Sequence, residues 1–143
     1  MFKKKLIFIF VLVLIAGANA LGQCGSGHEK TPSQPRHGSF EIRQTQSGRY
    51  SFVLKASNGR EILSGFFYAS VDKVKDAIEK TRTLATEDTN FDVRHDNQWY
   101  FFVKDANGKA VAQSEHYTTE AAMRKGIDSV RKTAPDATVS DPS

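Results

Sequence analysis

The chain writes one pattern twice. Residues 50–68, YSFVLKASNGREILSGFFY, return as residues 99–117, WYFFVKDANGKAVAQSEHY, at a constant offset of 49 residues. In each copy a run of β-forming residues meets Asn-Gly and a second such run follows, which is the signal of a hairpin. Asn58-Gly59 and Asn107-Gly108 are expected to be structural, supplying the positive φ angles of a two-residue type I′ turn. What comes next also matches: Ser70 to Arg82 and Thr119 to Arg131 carry the spacing of an amphipathic helix. A single unit of roughly 45 residues sits near the size below which a core needs a disulfide, a metal or a partner. The two copies are therefore expected to share one core.

Each copy also begins with a strand of its own, since Phe40 to Arg43 and Phe91 to Arg94 alternate apolar with charged residues. Between that strand and the hairpin, Gly48 favours a tight turn in the first copy; His95-Asp96-Asn97 makes a shorter link in the second. Tyr50, Phe52 and Leu54 then fall on one face, as do Trp99, Phe101 and Val103, while Ser51, Val53 and Lys55 match Tyr100, Phe102 and Lys104 on the other. Glu61 to Phe67 and Ala110 to Glu115 supply the third strand of each copy. Ser70 and Thr119 stand where an N-cap hydroxyl accepts from the first helical turn. Val74, Ala77, Ile78 and Thr81 form an apolar stripe that Met123, Gly126, Ile127 and Val130 repeat position for position. Glycine inside a helix costs about 1 kcal/mol relative to alanine, so Gly126 on that stripe predicts a close approach of helix and sheet. Pro135 ends the second helix and Ala137 to Ser140 can add a last short strand. The order βββα, βββα predicts an α+β domain: two tandem βββα(β) repeats sharing one mainly antiparallel sheet, with two helices packed on one face.

Ahead of the repeats lies an export segment. Residues 1–20 read as a signal peptide, with Lys3 to Lys5, an apolar run from Leu6 to Ala16, and Ala18-Asn19-Ala20 as a cleavage site. That run is too short for a membrane-spanning helix, which needs about 20 apolar residues. Residues 21–39 then read as a disordered tether, residues 40–90 as the first repeat and residues 91–141 as the second. Leu21-Gly22-Gln23-Cys24 resembles a bacterial lipobox, although Gln23 stands where a small residue is usual; Cys24 would then carry a lipid, the one membrane contact expected. The other reading of Cys24, the only cysteine, is a free or intermolecularly paired thiol. The expected location is periplasmic or secreted, with lipid anchoring in the cell envelope as the variant. Charge follows the leader: the chain is +4, but without residues 1–20 there remain 17 basic and 16 acidic side chains. Most of the argument for a phosphate-rich partner goes with it.

The repeated pattern resembles the YegP-like family, a domain of unknown function often found in tandem. Phe40-Glu41-Ile42, Tyr50 to Lys55 with Asn58-Gly59, Gly126 to Arg131 and Ala134-Pro135-Asp136-Ala137 carry the likeness, which covers residues 40–141. The resemblance implies a β(3)-α-β unit duplicated around one continuous sheet, with terminal strands exchanged between the halves. The chain departs from the family pattern in its first helix, where Ala77 to Arg82 replaces the Gly-Ile-x-Ser-Val type, and in its export segment. The family brings no catalytic residues to carry over.

Chemistry is sparse in the sequence. His95 and His116 are the only histidines in the repeats, and His116 alternates with Phe67 between copies, which fits a local niche better than a general base. No phosphate loop and no metal-ligand spacing is present, so no catalytic residue, no metal and no cofactor is expected. The feature that stands out is the sheet face turned away from the helices, carrying Val53, Lys55, Tyr100, Phe102 and Lys104. Exposed aromatics of this kind mark an interaction surface; a neighbouring strand, the tether or a homodimer partner is the alternative cover. The leading expectation is a non-enzymatic binding module for a protein or a cell-wall polymer. The alternative is a single-stranded nucleic-acid-binding domain that stacks bases on these aromatics beside lysines.

Overall fold

The computed structural model describes residues 37–142. The signal peptide, Cys24 and the tether up to residue 36 lie outside the described residues. Strands β1 (Ser39–Gln44), β2 (Tyr50–Lys55) and β3 (Glu61–Gly65) precede helix α1 (Val71–Leu84). Strands β4 (Phe91–Asp96), β5 (Gln98–Lys104) and β6 (Ala110–Ser114), helix α2 (Glu120–Thr133) and a short β7 (Thr138–Ser140) complete the chain. One sheet takes all seven strands in the order β4-β5-β6-β3-β2-β1-β7. Every pairing is antiparallel except that of β7 with β1. Both helices pack on the face that holds Phe40, Phe52, Leu54, Leu63, Phe101 and Val103, all buried, and bring Val74, Ile78, Met123 and Val130 onto it. The expected α+β architecture is the one found.

The two halves are related by a pseudo-twofold axis through the middle of the sheet. Ser64 pairs with Gln113, its own counterpart at offset 49, while Leu63↔Ser114 and Gly65↔Ala112 are images of each other. The helix starts repeat as well: Ser70 accepts from the Lys73 N–H and Thr119 from the Ala122 N–H, satisfying donors that the first turn leaves free.

Four details differ from the sequence reading. The Asn-Gly turns are not type I′, because only the glycines have positive φ, 81° at Gly59 and 79° at Gly108. In each hairpin the glycine N–H closes a turn to the carbonyl three residues before it, and the strand resumes through Ala56 N–H to Arg60 O and Asp105 N–H to Lys109 O. This is a three-residue loop with the glycine as a bulge residue; a second bulge follows in the strand after it, where Ile62 and Val111 are the extra residues at the register shifts Leu54/Lys55 and Val103/Lys104. Asn58 keeps its usual backbone because its Oδ1 accepts from the Arg60 N–H at 3.0 Å. Second, Gly38 and Ser39, assigned to the tether, belong to the fold: Ser39 opens β1 and the Gly38 carbonyl accepts from Thr138 N–H at 3.1 Å. Third, β3 and β6 stop at Gly65 and Ser114, and pairing resumes only as the single bridges Tyr50↔Tyr68 and Trp99↔Tyr117. Fourth, the exchange of terminal strands is one-sided. β7 crosses to lie beside β1 of the first half, but the chain after α1 passes through a 3-10 turn, Asp88–Asn90, straight into β4.

Candidate functional site

On the uncovered side of the sheet the register lines up one row of side chains: Glu41, Val53, Ser64, Gln113, Phe102 and Asp92, each paired with the next across the strands. The row is symmetric about the Ser64–Gln113 pair, and each end is a carboxylate held between two cations. Glu41 takes Arg43 Nε at 2.8 Å and Lys55 Nζ, while Asp92 takes Arg94 Nη2 at 2.7 Å and Lys104 Nζ at 3.2 Å. The Arg43 guanidinium, then the Lys55 ammonium, holds the Glu41 carboxyl below its ordinary pKa. At Asp92 desolvation acts upward, but the hydrogen bonds from Arg94 and Lys104 together bring its pKa down.

Three of the expected site residues change character in this setting. Lys55 and Lys104 do lie on the face with Val53, Tyr100 and Phe102, but each is paired with a carboxylate rather than free to meet an anion. Val53 is not an exposed contact residue, being only 6% exposed. It sits on an interior strand with Glu41 and Ser64 as cross-strand neighbours.

Tyr100 and Phe102 remain half-exposed and form the centre of a small aromatic cluster. Their rings meet edge to face at 5.6 Å, and His116 packs against Tyr100 at 4.9 Å. The Tyr100 hydroxyl donates to Asp96 Oδ2 at 2.8 Å, and that hydrogen bond raises the phenol pKa. His116 is the member that sequence reasoning passed over, and its signal was alternation with Phe67. Tyr68 and Tyr117 pair with Tyr50 and Trp99, so residues 67 and 116 turn to the opposite side. In the first half Phe67 is 56% exposed, with the Arg49 guanidinium 5.9 Å from its ring centre. His95 stacks on Trp99 at 4.3 Å, at the far end of the β4–β5 hairpin. Among the described residues no group of three or more His, Cys, Asp or Glu side chains is placed to hold a metal ion, and no helix is long and apolar enough to cross a membrane.

A duplicated unit of three strands and a helix, folded into one sheet with both helices on one side, defines a tandem two-layer α+β domain. The chain belongs to the family described as a domain of unknown function, DUF1508, whose pattern matches residues 46–92 and again residues 95–141. Among its relatives, the UPF0339 protein YegP of Yersinia pestis is 33% identical over 106 residues, covering 73% of this chain and 95% of that protein. A UPF0339 protein of Acinetobacter baylyi is 34% identical over 106 residues, covering 73% and 96%. Among solved structures, the solution structure of YegP from Escherichia coli, described as a protein of unknown function, matches with a TM-score of 0.70 at 29% identity, over 73% of this chain and 92% of that one. The resemblance drawn from the repeated motifs is thus shown, and the relatives' names carry no activity.

Proposed function

We propose that the protein is a non-enzymatic binding module that works outside the cytoplasm and captures a protein or a cell-wall polymer on the uncovered sheet face. The observation that carries this reading is the Tyr100–Phe102–His116 cluster, half-exposed on the side the helices leave open. Aromatic side chains offer large contact area at small entropic cost, and clusters of them recur at the centres of interfaces. Export is supported by the leader-like residues 1–20. The nucleic-acid alternative loses its electrostatic support, because Lys55 and Lys104 are each neutralised by a carboxylate.

The test is affinity capture from native cell envelopes with the tagged protein, run beside the Tyr100→Ala/Phe102→Ala double variant after its melting temperature has shown it folded. A partner held by the wild type and at least tenfold depleted with the variant is the expected result. A partner held equally by both, or none held by either, overturns the assignment to this surface.

A further inference from the structure

The pseudo-twofold axis exchanges β1 with β4, β2 with β5 and β3 with β6, but β7 has no image among the described residues. Beside β1, β7 runs parallel with Phe40 opposite Val139; Thr138 N–H donates to Gly38 O at 3.1 Å and the Ser140 hydroxyl to Phe40 O at 3.3 Å. Just beyond the strand, Asp141 forms an ion pair with Lys75 of α1 at 2.8 Å. Under that cover Phe40, Ile42 and Ile78 are all at most 2% exposed. Their counterparts at the other end are Phe91, Val93 and Ile127. Among the described residues no strand pairs with the outer edge of β4. There Val93 is 37% exposed, and Phe91 and Ile127 are only partly buried.

The β4 edge has a shape. A groove of about 470 Å³ runs between β4 and α2, lined by Phe91, Val93, Ile127, Arg124, Asp88 and Asp128. Five of these six occupy positions equivalent to those around β7: Phe40, Ile42, Ile78, Lys75 and Glu79. The chain cannot fill the groove with the segment that follows α1, because residues 86–90 are used up in reaching β4. Arg124 stands where Lys75 holds Asp141, and among the described residues its ionic partner is the exposed Glu120 one turn away.

We propose that this groove takes an extended peptide segment of a partner protein as an eighth strand, parallel to β4. The covered half specifies its chemistry: a β-branched or aliphatic residue over Phe91, as Val139 lies beside Phe40, and a carboxylate two residues later for Arg124, as Asp141 meets Lys75. At the end where the strand enters, Asp88 is paired with Arg131 at 2.7 Å, which leaves Asp128 as the carboxylate that disfavours an acidic residue there. Strand addition of this kind draws affinity from main-chain hydrogen bonds and specificity from alternate side chains. The site is an edge, separate from the aromatic face proposed above, so either assignment can fail alone.

The test titrates the full chain with a synthetic peptide of residues 134–143, APDATVSDPS, and follows backbone amide shifts. Saturable shifts confined to Phe91–Asp96 and the Arg124–Asp128 turn are expected, with none from a scrambled peptide. Arg124→Glu should weaken the native peptide at least tenfold, and a peptide carrying Asp141→Lys should recover most of that loss on the Arg124→Glu protein. Three results overturn the proposal: no saturable shift, shifts confined to β1, or a concentration-dependent dimer abolished by Val93→Lys, which would put a second copy on the edge.

Discussion

The first half of the molecule buries what the second half leaves half-covered, and the second half buries what the first leaves half-covered. Phe40 and Ile42 lie in the core beneath β7, whereas Phe91 and Val93 form an open edge. The tyrosines show the reverse. Tyr117 is only 8% exposed beneath α2 and Tyr68 is half-buried beneath α1. Gly126 accounts for that contrast: a Cβ there would run into the Tyr117 hydroxyl and lie 2.6 Å from its Cζ, while the equivalent residue of α1 is Ala77. A side chain's burial in a duplicated fold is therefore set less by its own repeat than by what the other half lays over it and by one Cβ across the interface.

The sharpest way to break this comparison is to truncate the paired phenylalanines. Phe40→Ala should cost about 4 kcal/mol and Phe91→Ala about half as much, because only Phe40 is fully enclosed. Denaturant unfolding of the two variants checks it, and equal losses would show the β4 edge to be covered. Next, Gly126→Leu should destabilise by about 3 kcal/mol, lowering the melting temperature by roughly 12 °C or more; an unchanged melt would show that α2 is not packed on Tyr117.

A smaller effect appears in alkali. Burial, with Glu115 adding to it, pushes the Tyr117 phenol up to about 12, against about 10 in an unfolded chain. The unfolded state loses its proton first, so this contribution is intact below pH 10 and falls as pH rises toward 12, by as much as about 2 kcal/mol. Comparing wild type with Tyr117→Phe across that window isolates the term. At neutral pH the same variant should be as stable as wild type or slightly more so, since among the described residues the buried hydroxyl has no hydrogen-bond partner. The smallest difference concerns Thr81, wholly buried where the second half has Val130. Its hydroxyl donates to Ala77 O at 2.7 Å, a carbonyl already within the helical ladder, so Thr81→Val should change stability by less than about 1 kcal/mol.

Much of the fold was legible because its signals are local. Alternation in Tyr50 to Lys55 and Gln98 to Lys104, the caps Ser70 and Thr119, and the stripes from Val74 and Met123 each depend on neighbours within a few residues. The hairpin type was misread because Asn-Gly permits two loop lengths, and the choice fell to hydrogen bonds made by Asn58 and Asp105 side chains. The candidate face was legible in position but not in character. Alternation placed Lys55, Lys104, Val53, Tyr100 and Phe102 on one side, yet Glu41 and Asp92 arrive from neighbouring strands to neutralise the lysines.

By itself the sequence determined the duplication, the element order, the helix starts and the face on which each strand residue falls, since all of these follow from periodicity and short-range hydrogen bonding. Only the tertiary structure decided that β7 crosses to β1, that no described strand does the same for β4, and that Arg124 lines a groove beside it. Those outcomes depend on where a chain segment arrives after more than 90 residues of intervening fold, as in the pairing of Phe40 with Val139. Contacts across such separations leave no periodic trace, because no local pattern encodes which edge a departing strand will reach.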